Sequence, residues 1–397
     1  MMVESGLHRY LGFYKEMPAL LKRAGIDIDK LFYWEDEIII RLKGGICGTF
    51  GLAPLFSPFR TLKSIFGNSH IFSSRQKLLI LRFFVSGLWK TARQPTVMDG
   101  LTILEYAQQK RLPEDIVTKL LTPLSAGLFF LQPDKYSAFV FFGLFLPFLH
   151  RSYRNRVGAF NGGMTEVMAA PIGEYIQKLG GEIFLSSPVD ELVIKDGQAT
   201  GVIVAGRRYD ADSVVLATSL APAQRLLADL VPHYPSFSTM LKLQTMPSVT
   251  IQIELSQRCM PKDRTTFAPQ TCLASFSEQA GSTFKASKGR LSIILTPPEQ
   301  FVNLDKETIL QRVTADLEAI DIHIRNTILD SRIVIEAEDF YALVPGAEAL
   351  KPEQRTAVKG LVLAGDYTRQ RYLATMEGAV YSGKQAAHII LDQDRNT

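Results

Sequence analysis

The residues best placed for chemistry lie near the C-terminus. Gly360 to Ala364 is a short apolar run of the kind that forms a buried strand; it breaks at Gly365-Asp366, and after a polar loop a helical pattern runs from Met376 to Leu391. A strand end, a loop and a helix start in that order converge on one crevice in doubly wound sheets, a geometry for holding phosphates and rings. Asp366 at the strand end can accept hydrogen bonds from sugar hydroxyls, and Gly365 lets a ligand approach the backbone. The free amides opening the Met376 helix carry partial positive charge, suited to an anionic ring edge. Gly378 and Gly383 keep that helix close to its neighbours. Taken alone, a Gly-Asp strand end is also an ordinary tight turn. The six histidines lie far apart with no carboxylate partners in register, so no hydrolytic triad or metal site is indicated, and no side chain is assigned as acid, base or nucleophile. Cys47, Cys259 and Cys272 are odd in number and free of any C-x-x-C pair, so neither a disulfide framework nor a zinc site is indicated, and a reducing compartment fits best.

Several elements would have to position this crevice. Asn161-Gly162-Gly163 forms a turn, Thr165 is a candidate N-cap, and Val167 to Leu179 reads as a helix stopped by Gly180-Gly181. EIFL, VDELVIK, ATGVIVA and SVVLAT then read as four short strands, so that an αβ unit ends in a buried strand, the layout of a dinucleotide-binding layer. Nearer the N-terminus, Tyr14 to Ala24 reads as a helix closed by Gly25 and Ile38 to Leu42 as a strand. From Ser248 to Ile335, VTIQIEL, LSIILT and RIVIE surround one helix, Asp305 to Ile320 capped by Asn303, which predicts a second, antiparallel sheet.

With 397 residues the chain is long enough for two interleaved domains, and 46% apolar against 21% charged residues is the composition of a folded globular protein. A net charge of +4 gives no reason to expect a nucleic-acid partner. The basic residues are unevenly placed, however: Ile38 to Met98 contains no Asp or Glu but carries Arg41, Lys43, Arg60, Lys63, Arg75, Lys77, Arg82, Lys90 and Arg93. Interleaved with LLILRFF and SGLW, these predict either an amphipathic membrane-facing surface or a solvated helical bundle. Ala138 to Leu149 is shorter than the ~20 residues that cross a bilayer, and reads as a core helix or the wall of an apolar tunnel. The opening MMVESGLHRY lacks a basic n-region followed by an apolar h-region, so it does not read as a secretory signal.

Three stretches together resemble a family. LAGDYTRQRYLATMEGAVYSGKQAA is similar to the C-terminal flavin motif of plant- and cyanobacterial-type phytoene desaturases, within the flavin-containing amine oxidase superfamily; VESGLHRYLGFYKEMPALLKRAGI resembles that family's E-x-G-L-H segment, and NGGMTEVMAAPIGEYIQKLGGEIFLSSPVDEL its helix and adenine-side strand. The resemblance implies an α/β, two-domain FAD-binding flavoprotein of the amine-oxidase type with an interleaved α+β substrate domain. Residues 1–14, 155–235 and 345–397 would form the flavin-binding domain, and 15–154 and 236–344 the substrate- and membrane-facing one. It implies flavin contacts at His8, Arg9, Tyr14, Gly365, Asp366 and Met376, an adenine-side backbone contact at Val189 and a substrate contact at Ala374. It also implies a hydrophobic isoprenoid substrate, a quinone electron acceptor, a peripheral site on the cytoplasmic side of a membrane, and possible oligomers. Two features depart from the pattern. The family opens with a strand, a G-x-G-x-x-G turn and a helix, whereas this chain contains no G-x-G, so the first βαβ element is expected to be lacking. Where plant-type desaturases carry Pro-Glu-Arg-Leu, this chain has Thr165-Glu166-Val167-Met168. Alternatives are the same fold acting on an amine, a porphyrinogen or a squalene derivative, or a cofactor-free remnant that binds a membrane or a partner.

Overall fold

A computed structural model describes residues 3–35, 37–51, 71–150 and 156–395. In chain order, β1 (Arg9–Leu11), α1 (Glu16–Arg23), β2 (Phe32–Glu35), β3 (Glu37–Arg41) and β4 (Cys47–Gly51) form the N-terminal part. The helical middle includes α2 (Ser74–Arg93), α3 (Pro95–Asp99) and α4 (Ala138–His150), followed by β5 (Val157–Phe160) and α5 (Ala170–Lys178). Next come β6 (Glu191–Lys195), β7 (Gln198–Val204), β8 (Arg207–Asp210) and β9 (Val214–Leu216), then β10 (Thr245–Leu255), β11 (Thr266–Phe267), β12 (Leu273–Glu278) and β13 (Gly289–Leu295). The chain ends with α6 (Lys306–Ala319), β14 (Ile328–Tyr341), β15 (Leu361–Leu363) and α7 (Met376–Arg395).

A seven-stranded sheet in the order β14-β10-β13-β12-β11-β3-β4 is the largest layer. Its register sets Ile251 opposite both Ile293 and Ile333. Along β10 the alternate residues Val249, Ile251, Ile253 and Leu255 are buried with Ile309, Val313 and Leu317 of α6, so a period of two meets a helical period to make one core. That helix, expected from Asp305, begins at Lys306: its cap is Asp305, whose carboxylate accepts the Thr308 N–H at 2.9 Å, and not Asn303. An aspartate directly before the first helical residue supplies the acceptor the free amides need.

β1 and β2 flank β5 in a small antiparallel sheet, and β6-β7-β8 form a meander. β9 and β15 pair in parallel, Leu361 opposite Val214 and Leu363 opposite Leu216, and Val362 and Ala364 pack against Ala386 of α7. Two expectations fail here. The helix after Gly163 opens as a π-helical turn, Thr165–Ala169, and Thr165 makes no side-chain cap. EIFL, residues 182–185, is not a strand; it has no strand partner among the described residues, and Leu185 is 83% exposed. Extended backbone needs a neighbour to hold it.

The run from Ala138 is a buried helix: Val140, Phe141, Phe142 and Leu144 are all in the main core. It packs closely on α2, since a side chain at Gly87 would come within 2.1 Å of the Phe142 ring. Among the described residues no helix is long and apolar enough to cross a membrane.

Candidate functional site

The site is built where β15 ends. The Ala364 N–H continues the β9 pairing to the Leu216 carbonyl at 3.0 Å, and the chain then turns at Gly365, where a side chain would come within 2.4 Å of the Tyr367 ring. The Gly365 N–H donates to Ser382 Oγ at 2.8 Å, tying the strand end to α7. Asp366 follows. Its carboxylate is half-buried, bonds to its own and the Tyr367 backbone amides, and has no side-chain partner among the described residues. Burial pushes its pKa up to about 6, opposed by the Lys351 ammonium. That leaves acceptor lone pairs at the mouth of a parallel strand pair, as sugar hydroxyls would require.

The loop from Asp366 to Thr375 is held by one amide side chain. Gln370 Nε2 donates to the carbonyls of Asp366 (3.2 Å) and Leu373 (2.7 Å), while its Oε1 accepts the Tyr372 N–H at 2.5 Å. Thr375 caps α7 by accepting the Gly378 N–H at 3.1 Å. Gly378 is required because a side chain there would lie 2.4 Å from the Leu373 carbonyl oxygen.

Glu377, the second residue of α7, is fully buried and turns away from its own helix. Its Oε1 accepts the N–H groups of Lys15 (2.6 Å) and Glu16 (2.8 Å) and its Oε2 that of Met17 (2.9 Å). A carboxylate thus caps the start of α1 from across the chain, and Lys384 to Glu16 at 2.8 Å adds a second tie between the two helices. Tyr14 sits in the same seam: burial first, then Glu377, raises its phenol well above the ordinary tyrosine range, and its hydroxyl bonds Thr375.

The predicted residues divide into two groups. Tyr14, Met376 and Ala374 gather around the α7 start, with Gly365 and Asp366 joined to it through Gln370 and Ser382. The other three are placed elsewhere. His8 Nδ1 is 3.0 Å from Glu4, whose other oxygen accepts the Met164 N–H at 2.7 Å. The Arg9 guanidinium is committed to Glu35 and Asp263, each at 2.6 Å, and to Thr265 at 3.0 Å, linking β1, β2 and the approach to β11. Burial opposes its charge, but the two carboxylates raise its pKa above the ordinary value. Val189 lies in the unpaired stretch before β6, exposed like Phe184, Leu185 and, on β9, Val215. Val167, at the altered Pro-Glu-Arg-Leu position, packs beside the Tyr10–Tyr14 cluster and is Gly162's nearest side-chain neighbour.

Sequence reading assigned no part to Glu377, Thr375, Glu348 or Lys351. The Lys351 ammonium is buried 2.6 Å from Glu348 and over the Tyr341 ring at 4.6 Å, close enough to act on Asp366. The available signal for Glu377 was an acid in the first turn of a helix next to a glycine, which does not say whose amides it serves. Burial first, and then Glu278 and Asp316 respectively, raise the Cys259 and Cys272 thiols well above the ordinary cysteine range. No metal-binding cluster occurs among the described residues.

Against the loop lies a cavity of about 530 Å³, walled by Phe13, Phe139, Leu146 and Leu373, with Lys15, Arg371 and Glu348 as its charged groups. α4 fills the core with Phe141 and Phe142, while Phe139, Gly143, Leu146 and Pro147 line the cavity. Gly143 makes room for Leu373, whose Cδ1 would lie 2.9 Å from an added Cβ.

A flavin's ring and sugar chain fit this donor set: a half-buried carboxylate without a side-chain partner among the described residues, a glycine strand end and a capped helix start converge there. The given sequence contains no G-x-G, and the first α1 amides are already taken by Glu377.

Similarity to known proteins agrees with the geometry. The 15-cis-phytoene desaturase of Glycine max is 27% identical over 98% of this chain and 70% of its own length, and that of Synechococcus elongatus 25% identical over 98% and 85%. An oxidoreductase structure from Methanosarcina mazei superposes with a TM-score of 0.72 at 17% identity, covering 98% of this chain and 90% of that one. The family described as flavin containing amine oxidoreductase matches residues 1–391, and the chain belongs to it.

Proposed function

We propose that the chain binds FAD and dehydrogenates an isoprenoid hydrocarbon of the phytoene type, with electrons passing to a quinone. The observation that carries this reading is the apolar cavity lying directly against Tyr372 and Leu373, beside the residues suited to a flavin. A bound flavin supplies hydride acceptance from an activated C–H bond. The protein's own part is positional. Asp366 would hold the cofactor's sugar chain through hydrogen bonds and the amides opening α7 would stabilise its anionic edge, while Phe13, Phe139, Leu146 and Leu373 exclude water and orient a chain without polar handles. No general acid or base is called for in this reading, and Lys15, Arg371 and Glu348 at the cavity are given no proton-transfer role. An amine, cationic in water, would meet Lys15 and Arg371 against the lone carboxylate of Glu348, so the charges favour a neutral substrate. Support also comes from relatives named phytoene desaturases.

The test is the visible spectrum of the purified chain before and after adding FAD and removing the excess, followed by incubation with phytoene in liposomes and a quinone. Flavin bands together with longer-wavelength polyene products are expected. Flavin bands with amine oxidation and no polyene product would transfer the reading to an amine; a protein that stays colourless would replace it with a cofactor-free membrane- or partner-binding role.

A further inference from the structure

Behind the strand-end loop lies a buried cluster of ionisable groups that the proposed chemistry does not use. Lys351 precedes β15, and the segment it opens runs beside the loop. The Arg369 N–H donates to the Pro352 carbonyl at 2.8 Å, the Leu363 N–H to that of Gln354 at 2.8 Å, and Gln354 Nε2 to Thr368 Oγ1 at 3.2 Å. The Lys351 side chain is fully buried, its ammonium 2.6 Å from Glu348 and 4.6 Å from the centre of the Tyr341 ring. Three acids lie in its field: Glu348 on the helical turn Ala347–Leu350, Asp99 at the end of α3, which accepts the Ser137 hydroxyl at 3.2 Å, and Asp366. The groups facing Asp366 itself are Lys351, Asp339 and Tyr341 of β14, and Tyr367. Tyr136, Tyr341 and Tyr367 are each 1% exposed, their hydroxyls have no hydrogen-bond partner among the described residues, and burial holds these phenols neutral. Positive charge facing Asp366 therefore comes from Lys351. A buried carboxylate ionises only where such a charge or hydrogen bonds offset its desolvation, and an ammonium so deep is costly unless it serves anions.

We infer that Lys351 is a positioning residue of the cofactor site: its ammonium, shared between Glu348 and Asp366, keeps the Asp366 carboxylate in the charged form that accepts hydrogen bonds from a sugar chain. A protonated Asp366 would set a donor where hydroxyl donors arrive and lose acceptor capacity. Lys351 is fully buried and lines no wall of the apolar cavity, so it acts through Asp366. Sharing also makes the effect adjustable. Glu348 does line the cavity, so the acid that competes for the ammonium stands on the substrate's side and Asp366 on the cofactor's. What Asp366 accepts from rests on the flavin reading; the coupling between Lys351 and Asp366 does not.

The coupling is measured first on the full chain without flavin. Melting points of the native chain, Lys351→Met, Asp366→Asn and the double variant form a cycle, recorded at about pH 5 and about pH 8. Asp366, whose pKa burial pushes up to about 6, is mostly protonated at the first and ionised at the second. At the higher pH, Lys351→Met should lower the midpoint by about 2 °C more beside Asp366 than beside asparagine, the equivalent of roughly one pKa unit, and at the lower pH the difference should vanish. FAD affinity against pH, read from flavin fluorescence quenching, gives the consequence for the site. Its midpoint, near pH 6 in the native chain, should rise by about one unit in Lys351→Met and fall in Glu348→Gln, which removes the competing acid. A merely structural part for Lys351 would weaken binding equally at every pH and leave both midpoints in place. If Lys351→Met strands Glu348 and does not fold, Lys351→Met with Glu348→Gln takes its place in the cycle. A cycle without coupling at the higher pH, or midpoints that do not move in opposite directions, overturns the inference. A native chain that binds no FAD at any pH refutes the flavin reading instead, and the cycle then decides whether Lys351 sets the charge of Asp366.

Discussion

Replacing Glu377 by glutamine changes almost nothing in shape and removes one charge from a fully buried position that serves three amides. Glutamine can keep its carbonyl oxygen on Lys15 and Glu16, but its amide nitrogen then faces the Met17 N–H, donor against donor. Losing one charge-assisted bond and leaving a buried donor unpaired should cost about 2–4 kcal/mol. Unfolding entropy of ~2.1 cal/mol/K per residue over 397 residues gives roughly 0.8 kcal/mol/K, so a midpoint fall of about 2–5 °C is expected if unfolding is cooperative. Glu377→Ala, which leaves all three amides unpaired and opens a void, should fall further. Calorimetry provides the measurement. Flavin retention should drop as well, because Glu377 fixes α7 against Tyr14. An E377Q protein that melts with the native one would refute the assignment of the carboxylate as a cap for α1.

Three other outcomes are expected. Arg9→Met strands Glu35 and Asp263 without their cation and should destabilise the chain by about 3–5 kcal/mol, measured by urea unfolding; if Arg9 contributed only to a ligand, apo stability would be unchanged. The folded pKa of Asp366 lies above the unfolded value, so its contribution to stability is complete at low pH and lost as pH rises through about 6; Asp366→Asn should flatten the melting profile between about pH 4 and 6, and native flavin affinity should rise over that interval as the acceptor ionises. Iodoacetamide should modify exposed Cys47 first, with Cys259 and Cys272 reacting only on unfolding, as read by peptide mass spectrometry.

What the sequence disclosed follows the range over which each interaction acts. VTIQIEL could be read as a strand because its apolar residues alternate, LSIILT because it is a short apolar run of the kind a strand buried on both faces shows, and the Met376 helix because its apolar face recurs within itself. The Gly365-Asp366 strand end was legible for the same reason: a glycine forced by a ring two residues away leaves a local mark. EIFL has an equally apolar pattern and was misread, since a strand exists only with a neighbour and the stretch cannot state whether one is present. The choice between Asn303 and Asp305 as a cap turned on which side chain reaches a free amide of the first turn, a matter of two residues that pattern cannot resolve.

The functional side chains show the same division more sharply. Glu377 caps amides 360 residues upstream, and Arg9 is claimed by acids at 35 and 263, so resemblance to a motif could mark both positions without revealing what either touches. α4 explains why the cavity was only half visible. Its run of Ala, Phe, Val, Leu and Gly is apolar on every side, the signature of a helix buried all round, yet one side meets the core and the other a space. Composition cannot separate a side that meets protein from one that meets a ligand when both are apolar. The difference lies in Gly143 and Leu373, where the absence of one side chain admits the other and leaves room beside it, and that is a relation between two segments some 230 residues apart.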